Sequence, residues 1–390
     1  MNLRRAAAIA ACMFAVTAGP AAAQPRVVDL TGPGSLTLKA TLFPASSPGP
    51  GVLLLHQCNR QRAIWNGLAQ QLASAGVHVL TLDLRGFGES AGDRYDRLSP
   101  AAQVKQRAMW PADIDVAFEY LVSQPGVTRD VIGVGGASCG VSNAVNTARR
   151  HPEVKSLVLL SGNSELAGRR FLRGGRHVPA FFAVADDDEF PASVLATYWL
   201  HSLTATPEKK LVRYDTGGHG ADMFAPHPEL MSAIVDWFRA TLVTSPGRAP
   251  IPTDSSGVTT EHAVLALMDE PGGPPKVAQQ LAEARRRDLG ATLFPEAFVN
   301  TIGYEHLESG AVAQAIEVFA LNASAFPTSP NAYDSLADAY LASGQKDLAR
   351  VNAQKALDLL PSATSVPKEF RDTIRESAER KLKQLGSPPQ

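Results

Sequence analysis

The sequence is poor in most of the features that mark specialised chains. Charged residues make up only 19% of it, and the formal net charge is −1. No basic surplus points to nucleic acid, and no acidic block points to a solvating tail. No apolar run reaches the length of a membrane-spanning helix. Cysteine is scarce, with three in 390 residues. His56-x-Cys58 lacks two further ligands at zinc spacing, so no metal is expected. Gly133-x-Gly135-Gly136 is the nearest thing to a nucleotide fingerprint, and it belongs to another motif described below. No cofactor is expected.

What is present is a packed core. Apolar residues make up 45% of the chain, and 390 residues suit two domains rather than one. The first 23 residues stand apart. Arg4 and Arg5 precede a short apolar stretch, Ala6 to Ala18, then Gly19-Pro20 and a small-residue cleavage site at Ala21-Ala22-Ala23. This pattern predicts a secretory signal peptide and a periplasmic or secreted protein. Its removal leaves two cysteines, Cys58 and Cys139.

Residues 24–242 are expected to form one α/β domain. Val/Leu-rich runs at Ser35–Phe43, Val52–His56, Val77–Leu82, Val131–Val134, Ser156–Leu160, Ala180–Val184 and Lys210–Tyr214 alternate with helical patterns. The runs have apolar neighbours on both sides, as strands covered on both faces do. The alternation predicts a mostly parallel sheet flanked by helices, with its site at the carboxyl ends of the strands. Residues 243–275, rich in Ser, Pro, Gly and Thr, predict a linker. Residues 276–390 are expected to be helical. Gly303, Ala315, Phe319 and Pro327 stand at positions of a tetratricopeptide unit, and Ala337, Ala349 and Pro361 repeat three of them after 34 residues. Asn322 and Ala353 depart from the pattern. Two such repeats rarely bury enough surface to stand alone, so they are expected to dock on the first domain or to bind a protein partner.

The strongest motif is Gly136-x-Ser138-x-Gly140, between a predicted strand and a predicted helix. A sharp strand–turn–helix lifts a serine oxygen clear of the backbone, and the helix N-terminus favours developing negative charge. Ser138 is therefore the candidate nucleophile. A serine needs a base. Of nine histidines, His219 in Gly217-Gly218-His219-Gly220 follows the last strand and is the candidate. A carboxylate between them must orient the imidazole. Asp186, Asp187 and Asp188 all follow the Ala180–Val184 strand, and Asp188 is favoured over Asp187, with Asp186 last.

These residues, together with Leu55-His56 and the run Leu82-Asp83-Leu84-Arg85-Gly86-Phe87-Gly88-Glu89-Ser90, resemble the α/β-hydrolase superfamily, and most of all its dienelactone hydrolase-like branch. The resemblance covers about residues 27–242 and includes the chain order Ser, Asp, His. It implies cleavage of an ester or similar acyl bond through an acyl-enzyme. Two positions depart. The dienelactone hydrolases carry cysteine where this chain has Ser138, and Gln57 stands where a glycine usually follows the loop histidine. An oxyanion hole needs two backbone N–H donors. Cys139 follows the nucleophile and supplies one. The resemblance implies that the second comes from Cys58, with Gln57 the next choice, and that His56 is a structural loop residue.

Both cysteines then lie at the same hole. They either bond, closing a loop of about 80 residues, or remain two buried thiols that point apart. Substrate clues are few. The basic stretch Arg169, Arg170, Arg173, Arg176, His177 suits either an anionic acyl group or a solvated loop, and Ala91–Pro111 suits either a pocket wall or packing. The expected activity is that of an exported serine esterase acting on a small-molecule ester. The competing expectations are a peptidase resembling the catalytic domain of prolyl oligopeptidases and an envelope scaffold acting through the repeats.

Overall fold

A computed structural model describes residues 24–250 and 260–386. The signal-peptide expectation for residues 1–23 lies outside the described residues. Eight strands form one sheet: β1 (Arg26–Gly32), β2 (Leu36–Phe43), β3 (Gly49–Leu55), β4 (His78–Leu82), β5 (Val127–Ala137), β6 (Val154–Leu160), β7 (Ala180–Ala185) and β8 (Lys209–Tyr214). Their order is β1-β2-β4-β3-β5-β6-β7-β8. The first two pairings are antiparallel and the rest parallel. This is the expected mostly parallel α/β sheet.

Seven helices belong to the sheet layer: α1 (Asn66–Ser74), α2 (Pro100–Arg107), α3 (Trp110–Val122), α4 (Cys139–Arg150), α5 (Leu166–Gly174), α6 (Pro191–Leu203) and α7 (Pro228–Phe238). Alternate residues of the central strands feed two separate cores. On β3, Leu53 and Leu55 join α3, α4 and α6 on one face. Val52 and Leu54 join α1 and α7 on the other. A strand covered on both sides needs apolar residues in both registers, which is why these runs are continuous rather than alternating. The outermost strand β1 has mixed polarity, Arg26 and Asp29 among apolar residues, and its side chains are largely exposed. That is why its sequence carries no strand signal of the buried kind.

The C-terminal part is all helical: α8 (Thr260–Ala266), α9 (Gly273–Arg287), α10 (Glu296–Glu308), α11 (Val312–Ala325), α12 (Pro330–Ala342), α13 (Lys346–Leu359) and α14 (Lys368–Leu385). The expected linker at 243–275 needs correction. Its end forms α8 and the start of α9, and Val264, Leu265 and Met268 are buried in the same core as the sheet. Pro, Gly and Ser around this segment masked a short apolar patch that only a docking surface could use. Val277, Leu281, Val299 and Ile302 extend that core, so the helices pack on the α/β domain.

The second correction concerns the basic stretch. It is largely the helix α5, and Arg169 is fully buried rather than solvated or aimed at substrate. Its guanidinium pairs with Asp269 at 2.6 Å and Glu305 at 2.6 Å, and lies 4.3 Å from the Trp199 ring. Burial raises the Asp269 carboxyl, but contact with His306 and the charge of Arg169 outweigh it and hold it at about 2. Arg173 donates to the Ala266 carbonyl, and Arg176 donates to those of Ala148 and Val154. Arg169 and Arg173 therefore join α5 to its neighbours, while Arg170 is exposed. The segment Ala91–Pro111 is in part packing and in part wall: Tyr95 stacks on Phe87 at 5.0 Å and meets Trp110 at 5.3 Å, while Arg94 and Asp96 line a cleft.

Removing one partner of a buried ion pair leaves its mates uncompensated. Arg169→Ala should therefore lower the unfolding free energy by about 3–5 kcal/mol, measured by urea denaturation. A change under about 1 kcal/mol would mean that the apolar contacts alone hold the helices in place.

Candidate active site

The site stands where β5 ends. Ser138 occupies the single residue between β5 and α4, with φ 53° and ψ −121°. A non-glycine residue at positive φ costs on the order of 1–3 kcal/mol and persists only where its surroundings enforce it. Here Ser138 N–H donates to the Leu160 carbonyl at 2.9 Å, and its carbonyl accepts from Val141 at 2.9 Å. The flanking glycines are required by crowding. A methyl group at Gly136 would lie 2.0 Å from the Gly140 carbonyl oxygen, and one at Gly140 would lie 2.4 Å from that of Leu55. The motif therefore forms the tight elbow expected of it, at the N-terminus of α4, whose first amides have no partner within the helix.

The three aspartates of the loop after β7 have three different partners. Asp186 accepts from Tyr198 Oη at 2.8 Å and Arg213 Nε at 2.7 Å. Asp187 accepts from the Gly217 and Gly218 amides at 2.8 and 3.0 Å, which shapes the histidine loop. Asp188 is buried and faces His219, with Nδ1 2.8 Å from Oδ2 and 3.0 Å from Oδ1. The Phe190 N–H donates to Asp188 Oδ1 at 2.8 Å, and the Phe190 ring meets the His219 ring edge-on at 4.7 Å. A carboxylate at Nδ1 fixes the tautomer with the proton there and leaves Nε2 to accept one. The His219 loop rests against the elbow, since a methyl group at Gly220 would lie 3.2 Å from Ala137 Cβ.

The loop after β3 completes the arrangement. His56 is fully buried, and burial, partly offset by its bond to the Gln57 carbonyl, lowers its pKa. Its Nδ1 donates to the Gln57 carbonyl at 2.8 Å, and its Nε2 accepts from the Leu84 amide at 3.2 Å. Both nitrogens are engaged, as a structural residue's would be. Cys58 is disulfide-bonded to Cys139, with Cα atoms 5.8 Å apart. The bond joins the two residues expected to supply the oxyanion amides. A cleft of about 320 Å³ opens beside them, lined by Cys58, Asn59, Arg60, Gln61, Phe87 and Arg94 among others.

The run after β4 braces this loop. Asp83 accepts from the Arg62 amide at 2.7 Å and the Glu89 amide at 3.0 Å, and pairs with the Arg62 guanidinium. Arg85 pairs with buried Asp113 at 2.5 Å. Sequence reasoning did not assign a role to Arg62 or Asp222, because their partners are remote in the chain.

Residues 46–185 match the family described as serine aminopeptidase, S33. A thiohydrolase of Aspergillus aculeatus is 27% identical over 126 residues, 32% of this chain and 37% of that protein. An esterase of Escherichia coli K12 is 26% identical over 118 residues, 30% of this chain and 47% of that protein. The chain thus matches less than half the length of either relative. Among solved structures, a dienelactone hydrolase from Anabaena variabilis is 20% identical, with a TM-score of 0.44, covering 55% of this chain and 96% of that one.

Because Asp188 holds the His219 imidazole at Nδ1, Asp188→Asn should lower turnover by about 10³–10⁴-fold. Asp186→Asn should change it by less than about tenfold, since Asp186 accepts from Tyr198 and Arg213. Steady-state kinetics on the two purified variants decides between them. Equal losses would remove Asp188 from the site.

Proposed function

We propose, for a chain whose first domain belongs to the α/β-hydrolase superfamily, that it is an exported serine esterase acting on small-molecule carboxylic esters. The observation that carries this reading is the buried Asp188–His219 pair beside a positive-φ serine at a helix N-terminus. Ser138 Oγ attacks the ester carbonyl while His219 Nε2 takes its proton. The amides of Cys139 and Cys58 donate to the oxyanion. His219 then returns the proton to the leaving alcohol, and the reverse sequence with water releases the acid. The charge that appears on His219 during each transfer is balanced by Asp188, whose burial strengthens that attraction. The signal-like N-terminus supports export, and the disulfide fits an oxidising compartment.

The match of residues 46–185 to the serine aminopeptidase family favours a second reading, in which the same residues cleave a peptide amide. The machinery would be identical, with His219 protonating an amine instead of an alcohol. A panel of p-nitrophenyl esters of graded chain length, run beside dipeptidyl amides, separates the two. Amide turnover exceeding ester turnover would replace the first reading by the second.

Ser138→Ala and His219→Ala should each lower ester turnover by about 10⁶-fold, because nucleophile and base act as one unit. Wild-type activity in either variant removes the assignment. Ser138→Gly should also be inactive, yet more stable by about 1 kcal/mol, because glycine adopts positive φ without strain. A thermal melt of that variant measures the gain. Reduction of the disulfide should lower kcat, as Cys58 and Cys139 are then free to separate. Unchanged kcat after confirmed reduction would mean that packing alone holds the two amides.

A further inference from the structure

Gln57 is the residue that departs from the pattern of related loops, and its surroundings give the departure a purpose. Its side chain is completely buried between two loops that are remote in sequence. Oε1 accepts from the Ala221 amide at 2.9 Å. Nε2 donates to Asp222 Oδ2 at 3.0 Å and lies 3.4 Å from the His219 carbonyl oxygen. Asp222 in turn accepts from Arg60 Nε and Nη2, both at 3.0 Å, and Arg60 N–H donates back to the Gln57 carbonyl at 3.1 Å. The ring of contacts is closed.

We infer that Gln57 is a positioning residue that ties the loop carrying His219 to the loop carrying the Cys58 amide. The inference rests on the esterase reading above and assigns a residue to it. The chemistry of the contacts selects the side chain. Ala221 offers a donor and so needs an acceptor, while Asp222 offers an acceptor and so needs a donor. A primary amide supplies one of each on adjacent atoms. Glutamate would set a second carboxylate against Asp222, methionine would meet neither need, and glycine would reach nothing. The opposite loop is matched to it. A methyl group at Gly220 would lie 2.5 Å from Gln57 Oε1, and Gly220 holds φ +59°, so glycine there leaves the amide its place.

Two neighbouring residues thus make two different ties. Gln57 holds the histidine loop, and Cys58, through its disulfide, holds the elbow at Cys139. The base and nucleophile are therefore referred to one short segment after β3. Small errors in such an arrangement are costly, since a displacement of about 1 Å at a reacting group can lower the rate about a hundredfold.

The test compares full-length wild type, Gln57→Met, Asp222→Ala and the double variant. The readouts are the rate of covalent labelling by a fluorophosphonate probe and kcat and KM on p-nitrophenyl acetate. Gln57→Met should slow labelling and kcat by about tenfold to a hundredfold, with KM changed by less than about threefold. Asp222→Ala, which leaves the Ala221 bond to Gln57 in place, should lose a smaller factor, and the double variant should lose little more than Gln57→Met alone, because the Asp222 bond runs through Gln57. Labelling and kcat at the wild-type rate in Gln57→Met, a change confined to KM, or fully multiplicative losses would each overturn the inference. If Gln57→Met does not fold, Asp222→Ala carries the comparison alone, as its side chain is partly exposed, and a wild-type rate there overturns the inference. Labelling of the wild type at Ser138 keeps the two levels apart. A wild type that does not label brings down the esterase reading and the inference with it, whereas normal wild-type labelling with unaffected variants overturns only the role of Gln57.

Discussion

The rest of the site is arranged around one constraint, the turn from β5 into α4 within a single residue. Ser138 must hold a positive φ there, and the strand behind it is buried on both faces and has no freedom to relax. Gly136 and Gly140 remove the side chains that would block the turn, and the neighbouring strands take up the backbone hydrogen bonds. Once the elbow is fixed, the positions of the helix N-terminus, the serine side chain and the Cys139 amide follow from it. Everything else must be brought to that point by loops from other strands.

Those loops are held by polar contacts as well as by apolar packing, in which Ala221, Met223 and Phe224 join the core on one face of the sheet. Asp187 shapes the glycine-rich histidine loop through two amides, and Asp188 takes the imidazole itself. Gln57 and Asp222 join that loop to the one after β3, while Asp83 and Arg62 brace the latter from behind. Directional bonds between short side chains specify a distance and an angle, which apolar contact does not. A site that needs its groups placed to a fraction of an ångström is served by them, and the large apolar cores on either side of the sheet carry the bulk of the burial.

The helical part is neither a free arm nor a separate globule. Its first helices continue the core on one face of the sheet, and Arg169 places a buried charge at the junction. The elements it packs against, α5 and α6, follow the β6 and β7 ends. α6 begins three residues after Asp188, so the docking supports the loop that holds the acid. The later helices form a further small cluster, with Ala337, Ala353, Ala356 and Ala378 at its centre.

The sequence by itself determined the parallel sheet, because strands covered on both faces must be apolar throughout. It also marked the elbow and the histidine loop, because glycine at those spacings answers a local steric demand. It narrowed the acid to three adjacent aspartates with Asp188 favoured, but it could not give each its partner, since all three share one loop and one composition. Their separation into a tyrosine and arginine partner, a loop-shaping anchor and an imidazole partner depends on which strand end each faces, and so on the assembled sheet. The same holds for Arg169, which reads as a solvated cation until the turn after α8 and helix α10 arrive with Asp269 and Glu305. It holds for the two cysteines, whose side-chain directions no spacing specifies, and for Gln57, whose donor and acceptor lie more than 160 residues away in the chain. Local steric and apolar patterns are written in consecutive residues. Pairings of single polar groups are long-range, and only the folded chain selects them.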